Sequence, residues 1–171
     1  MDKEFAKRRK NLMRMMGNDA IAIIPAASVK IRNRDVEYDY RQDSDFMYLT
    51  GFDEPEAVLV IAPGRLHGQY VLFCRERDLE METWNGRRAG QAGAMQHFDA
   101  DDAFPISDIN EILPGILEQR ERVFYTMGVN QEFDHRVIGW VNQIRQKGRG
   151  GAHTPNAVSY THLRAHETSL H

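Results

Sequence analysis

A chain of 171 residues, 42% hydrophobic and 27% charged, has the size and apolar content of one globular domain with room for one sizeable core. No stretch reaches the roughly 18 consecutive apolar residues of a membrane span, and Met1-Asp2-Lys3-Glu4 lacks the basic-then-apolar order of a secretory signal, so a cytoplasmic protein with no membrane partner is expected. The balance of 25 acidic against 22 basic residues, net −3, is too even for a nucleic-acid footprint, and the single cysteine, Cys74, excludes an internal disulfide and a cysteine-based zinc cluster.

Residues 3–16 place Phe5, Leu12, Met13 and Met16 at helical spacing among basic residues, with Gly17 where a C-terminal cap would sit. Ala20 to Ile24, closed by Pro25, has the length and punctuation of a buried strand. Three further runs read the same way: Phe46 to Leu49 before Gly51, Ala57 to Ile61 before Pro63-Gly64, and Tyr70 to Cys74, the last two joined by a hairpin-length loop. Ser107 is placed to cap a helix carrying Ile109, Ile112, Leu113, Ile116 and Leu117 on one stripe, with a bend or break at Pro114, which has no amide hydrogen. Val123 to Tyr125 reads as another strand, and residues 131–146 as a helix with Phe133, Val137, Val141 and Ile144 on one face. Strands interleaved with helices predict a mixed β-sheet flanked by helices, an α/β fold. Lys147-Gly148-Arg149-Gly150-Gly151 breaks the last helix, and after Pro155-Asn156-Ala157 no apolar periodicity survives.

Several residue groups invite a chemical reading. His162 and His166 stand four apart, followed by Glu167, a spacing that puts two imidazoles on one helix face for a divalent metal; without a third ligand or a helix-forming context a solvated tail is the plainer reading. The string Val158 to Thr168 moreover looks like the in-frame translation of a transposase-type sequencing-library adapter, so residues 158–171 are expected to be a non-native, disordered tail. Asp35 to Tyr40 alternates acid with Val or Tyr, and with Asp43 and Asp45 it brings a metal-dependent nuclease to mind. Carboxylates along one strand spread instead of converging on two ions, and a solvated acidic face is the simpler account. Trp84 beside Arg87 and Arg88, in an expected loop leading to a helix, offers an apolar wall and cations to a peptide or anion; the alternative is a half-buried Trp under arginine stems. The glycines around Arg149 follow a helix, whereas a phosphate-binding loop precedes one. Cys74, at a strand end with no nearby His, reads as a core residue.

The block Glu37 to Val60, read with Phe73, Arg75, Arg77, Asp78 and the stretch Glu82-Thr83-Trp84-Asn85-Gly86-Arg87-Arg88-Ala89-Gly90-Gln91, closely resembles the amino-terminal domain of bacterial aminopeptidase P, the Xaa-Pro aminopeptidase family. The same domain type precedes prolidase and creatinase. The resemblance covers roughly residues 3–157 and implies a ribonuclease-H-like mixed sheet that is not itself catalytic. It implies a following pita-bread domain, absent from this chain, in which two Asp, one His and two Glu hold two divalent metals, typically manganese, and a bridging hydroxide attacks the bond before proline. No catalytic residue and no metal ligand is assigned here. The implied partners are that catalytic domain, neighbouring subunits of a homo-oligomer and, in the parent protein, Xaa-Pro peptides. By motif position Trp84 is similar to the family's pocket-wall tryptophan, Asp35 to an acidic residue near the substrate, and Arg149 to an arginine reaching the same cleft. A carboxylate suits a substrate ammonium, and a guanidinium suits a carboxylate or peptide oxygen.

The sequence is thus read as residues 1–157 of an Xaa-Pro aminopeptidase amino-terminal domain, metal-free and inactive alone. The rival is a stand-alone noncatalytic binding or assembly module using the Trp84 loop and the acidic segment near Asp35.

Overall fold

The computed structural model describes residues 3–33, 36–118 and 120–147, and the backbone of 156–159. In chain order come α1 (Lys3–Met16), β1 (Ala20–Pro25), the short antiparallel pair β2 (Ile31–Asn33) and β3 (Val36–Glu37), α2 (Ser44–Thr50), β4 (Val58–Ile61) and β5 (Tyr70–Cys74). They are followed by α3 (Leu79–Asn85), α4 (Gly90–Phe98), β6 (Asp102–Pro105), α5 (Ile109–Leu117), β7 (Arg122–Tyr125), α6 (Gln131–Lys147) and β8 (Asn156–Ser159). The main sheet has the order β6-β5-β4-β1-β7-β8. β1 pairs antiparallel with β4 and parallel with β7, and β4 with β5 antiparallel, while β5–β6 and β7–β8 are parallel. This is the mixed sheet that the element order predicts.

Alternation along the strands feeds two cores. Ile21, Ile23, Val58, Val60, Val71, Phe73, Val123 and Tyr125 point to one face, where Leu113 and Leu117 of α5 and Phe133, Val137, Trp140 and Ile144 of α6 cover them. Ala20, Ala22, Ile24, Leu59, Ile61, Leu72 and Cys74 point to the other, beneath Leu12 and Met16 of α1, Phe46 and Leu49 of α2 and Ala94 of α4. Each fully buried Leu, Ile or Phe contributes about 1.5–3 kcal/mol relative to exposure, so the central runs are long in apolar residues because both faces need them. Cys74 belongs to this core. Burial, followed in weight by the Glu54 carboxylate, pushes its thiol up to about 12. Among the described residues no helix is long and apolar enough to cross a membrane.

Four sequence expectations change. Phe46 to Leu49 is helical, within α2, and not a strand. The Asp43 carboxylate accepts from the amides of Asp45 and Phe46 at 3.0 and 2.9 Å, and Gly51, in the left-handed region at φ 67°, closes the helix through its amide to the Met47 carbonyl. Ser107 caps nothing: it lies in a 3-10 turn, Ile106–Asp108, and its hydroxyl donates to Asp108 Oδ1. α5 is not broken at Pro114 but continues to Leu117, because the burial of Ile109, Leu113, Ile116 and Leu117 outweighs the roughly 3 kcal/mol of an interior proline. Of the alternating segment from Asp35 to Tyr40, only Val36–Glu37 is strand among the described residues. β8, at the far edge, lies across the boundary expected after Ala157, and residues 160–171, including His162 and His166, are outside the described residues.

Gly51 also meets α1. A Cβ there would stand 2.8 Å from the Phe5 ring, at a φ that a side chain rarely adopts. Gly51→Ala should therefore destabilise the chain by about 1–3 kcal/mol, read as a lower urea midpoint with unchanged slope; an unmoved midpoint would show that α1 gives way freely.

Candidate functional site

Trp84 sits in the last turn of α3, not in the expected loop; the loop 86–89 follows and leads into α4. Asp78 starts the helix, its carboxylate accepting from the amides of Glu80 and Met81 at 3.1 and 3.2 Å, and Gly86 ends it with its amide to the Glu82 carbonyl. No residue of α3 is buried, and Trp84 is 85% exposed. A Trp packed under arginine stems is thus not what is found. The excursion from β5 to α4 is fastened by polar contacts at its base. Glu54 Oε1 accepts from the Ala89 amide at 2.7 Å while its Oε2 lies 3.5 Å from Arg75 Nη2, and Arg88 Nη1 donates to the Glu76 carbonyl at 3.3 Å.

A cleft of about 970 Å³ opens where β1 and β7, running parallel side by side, reach their carboxyl ends. The chain leaves β1 toward the β4 side of the sheet and leaves β7 toward the β8 side, so the crevice lies at a switch point of the topology. Its walls include Ala27, Lys30, Tyr38, Asp39, Tyr40 and Arg41 on one side and Val129, Asn130 and Glu132 on the other. Gln42, 7% exposed, organises the first wall. Its Oε1 accepts from the amides of Ala27 and Asp43, each at 2.9 Å, and its Nε2 donates to the carbonyls of Phe52 and Glu54 at 3.1 and 2.9 Å. The Tyr40 hydroxyl, 2.9 Å from Gln42 Oε1 and 3.1 Å from the Ala27 carbonyl, completes the node. Burial first, and the Asp53 carboxylate next, push Tyr40 up to about 12.

The three site residues expected from the sequence are not brought together within the described residues. Asp35 and Arg149 lie outside them, the first between β2 and β3 and the second just past α6, and Trp84 is not among the residues lining the cleft. The sequence reading missed Gln42, whose only signal was its place inside the block from Glu37 to Val60, and saw Tyr40 only as the end of the alternating segment from Asp35. Among the described residues no three His, Cys, Asp or Glu side chains are grouped to hold a metal ion, and His67, His97 and His135 are exposed on separate elements.

Residues 5–132 match the family model "Aminopeptidase P, N-terminal domain". The Xaa-Pro aminopeptidase of Escherichia coli K12 is 39% identical over 168 residues, 98% of this chain and 38% of that protein. The Xaa-Pro aminopeptidase of Haemophilus influenzae is 36% identical over 122 residues, 71% of this chain and 28% of that protein. Among solved structures, Pseudomonas aeruginosa aminopeptidase PepP superposes with a TM-score of 0.90 at 60% identity, over 94% of this chain and 37% of that one. The chain thus spans less than two fifths of the length of these relatives.

The raised tyrosine fixes a pH dependence. Unfolded, a thiol titrates near 8.5 and a tyrosine near 10. Folded Cys74 and Tyr40 keep their protons to about 12, and burial shifts Tyr70 and Tyr125 upward too. Between those limits the unfolded chain binds fewer protons than the folded one, so stability is full below about pH 8.5 and falls as pH rises toward 12. Urea midpoints, measured with reductant present, should drop from pH 8 to pH 11, and Tyr40→Phe should flatten part of the drop; a flat profile would mean that these groups titrate freely.

Proposed function

Because the chain belongs to the aminopeptidase P amino-terminal domain family, we propose that it is the non-catalytic, substrate-pocket and assembly part of an Xaa-Pro aminopeptidase whose catalytic domain lies outside this chain. The parent is a cytoplasmic homo-oligomer that removes the residue preceding proline from peptides. The observation that carries the reading is Trp84, a large aromatic displayed almost fully to solvent on a helix with no buried apolar residue. Apolar surface held out in this way fits a wall completed by something else, here the peptide pocket of a neighbouring subunit. Asp35 is assigned to the substrate's ammonium group and Arg149 to a carboxylate or peptide oxygen.

The residues described here do not fit the two manganese ions of the proposed reaction, since no ligand cluster is found among them. Those ions belong, in this reading, to the following domain, where a divalent pair lowers the pKa of bound water and polarises the carbonyl. The present chain contributes shape and charge around the substrate.

The purified 171-residue chain, supplied with manganese, should not hydrolyse an Xaa-Pro tripeptide. Chelator-sensitive hydrolysis would overturn the division of labour. In the full-length parent, Trp84→Ala should lower kcat/KM for Xaa-Pro peptides by roughly tenfold or more, the usual worth of an apolar contact in a specificity pocket. Stability should stay within about 0.5 kcal/mol, since the side chain is exposed. Unchanged kinetics would remove Trp84 from the pocket.

A further inference from the structure

α3 poses a physical problem. Isolated helices of one or two turns are not stable in water, and in proteins a buried apolar face normally holds them. This seven-residue helix has no buried residue. What holds it is polar and concentrated at one pair. Arg77, immediately before the Asp78 cap, meets Glu82 through two parallel contacts, Nε to Oε1 and Nη2 to Oε2, both 3.1 Å. The Glu82 side chain is only 9% exposed, and it stands two residues before Trp84, so the two project from opposite sides of the helix. The face bearing Glu82 is turned to the protein, and the face bearing Trp84, with Met81 one turn before it, is turned out.

The stem of Arg77 is itself confined. A Cβ on Gly90, the first residue of α4, would lie 2.6 Å from Arg77 Cγ, so the glycine leaves just the room that the arginine stem fills. The fork thereby ties α3 to the start of α4, which is packed on the sheet through Ala94. The Arg77 guanidinium holds the Glu82 carboxyl below the usual carboxylate range, in keeping with the two short contacts of the fork.

The geometry points to Glu82 and Arg77 as positioning residues: the fork between them, seated on Gly90, sets the orientation in which Trp84 is presented to the peptide. The inference rests on the reading of Trp84 as a pocket wall and adds the device that aims it. A bidentate fork suits this task because it fixes direction as well as distance, which a lysine in place of Arg77 would not.

The test has a spectroscopic arm on this chain and a kinetic arm on the full-length parent. With 5-fluorotryptophan incorporated, the two tryptophans, Trp84 and Trp140, give separate fluorine resonances, assigned by Trp84→Ala. Glu82→Gln and Gly90→Ala should each shift the Trp84 resonance toward its unfolded position and narrow it, with the Trp140 resonance unmoved. Arg77→Lys should fall between wild type and Glu82→Gln. In the parent, Glu82→Gln should lower kcat/KM for Xaa-Pro peptides three- to tenfold, chiefly through KM, and should have no further effect when Trp84 is already Ala. A Trp84 resonance unchanged in Glu82→Gln, or losses that multiply in the double variant, would overturn the inference. If Trp84→Ala alone leaves kcat/KM unchanged, the pocket-wall reading falls, and the resonances alone decide whether the fork aims the ring.

Discussion

The fold depends on β1 being buried on both faces and paired on both edges. Ala20, Ile21, Ala22 and Ile23 are fully inaccessible, and antiparallel β4 and parallel β7 take up the backbone groups on either side. A strand in this position cannot carry a polar side chain without an internal partner, and it cannot slip by one residue without exchanging the contents of the two cores. α1, α2 and α4 on one side and α5 and α6 on the other are held by apolar surface that this strand and its neighbours present.

The cleft wall and α3, which bear the proposed functional surfaces, are held by other means. The wall of the cleft hangs on Gln42, a single amide that joins the turn at Ala27, the turn at Asp43 and the chain at Phe52 and Glu54. α3 hangs on carboxylates and guanidinium groups around Glu54 and Glu82. Burial fixes where an element sits but is tolerant of rotation and small shifts, while hydrogen bonds and forked ion pairs are directional. The division follows from that difference: apolar packing supports the scaffold, and polar geometry sets the cleft wall and the exposed face of α3.

The sheet was legible in the sequence where both faces are buried. The apolar runs of β1, β4 and β5 and the helical stripes of α5 and α6 show directly, because burial on a regular element leaves a period in the residues. Phe46 to Leu49 was misread because four apolar residues have no period of their own; the brackets at Asp43 and Gly51 decide the matter. β6 was not seen, since Asp102 to Pro105 is half-buried on an edge and shows no apolar run. For the site, the family resemblance singled out Trp84, but its place in the last turn of a short helix capped by Asp78 and closed at Gly86, and its exposure, were not read from spacing. Gln42 could not be read as a node, because a buried amide is defined by the carbonyls and amides around it, and these come from Ala27, Phe52 and Glu54, each well separated in the chain.

The pairing of β1 with β7 also bears on how the chain comes off the ribosome. β1, β4 and β5 can join as soon as Cys74 has emerged, leaving one edge of β1 bare, and that edge is closed only when Arg122 to Phe124 arrive to match Ala20 to Ala22. At synthesis rates of about 5–20 residues per second the half-built sheet waits several seconds with an apolar, unpaired margin in solution. The interval exposes the same strand that later becomes buried on both faces, and an unpaired apolar edge of this kind is the sort of surface through which incomplete chains associate.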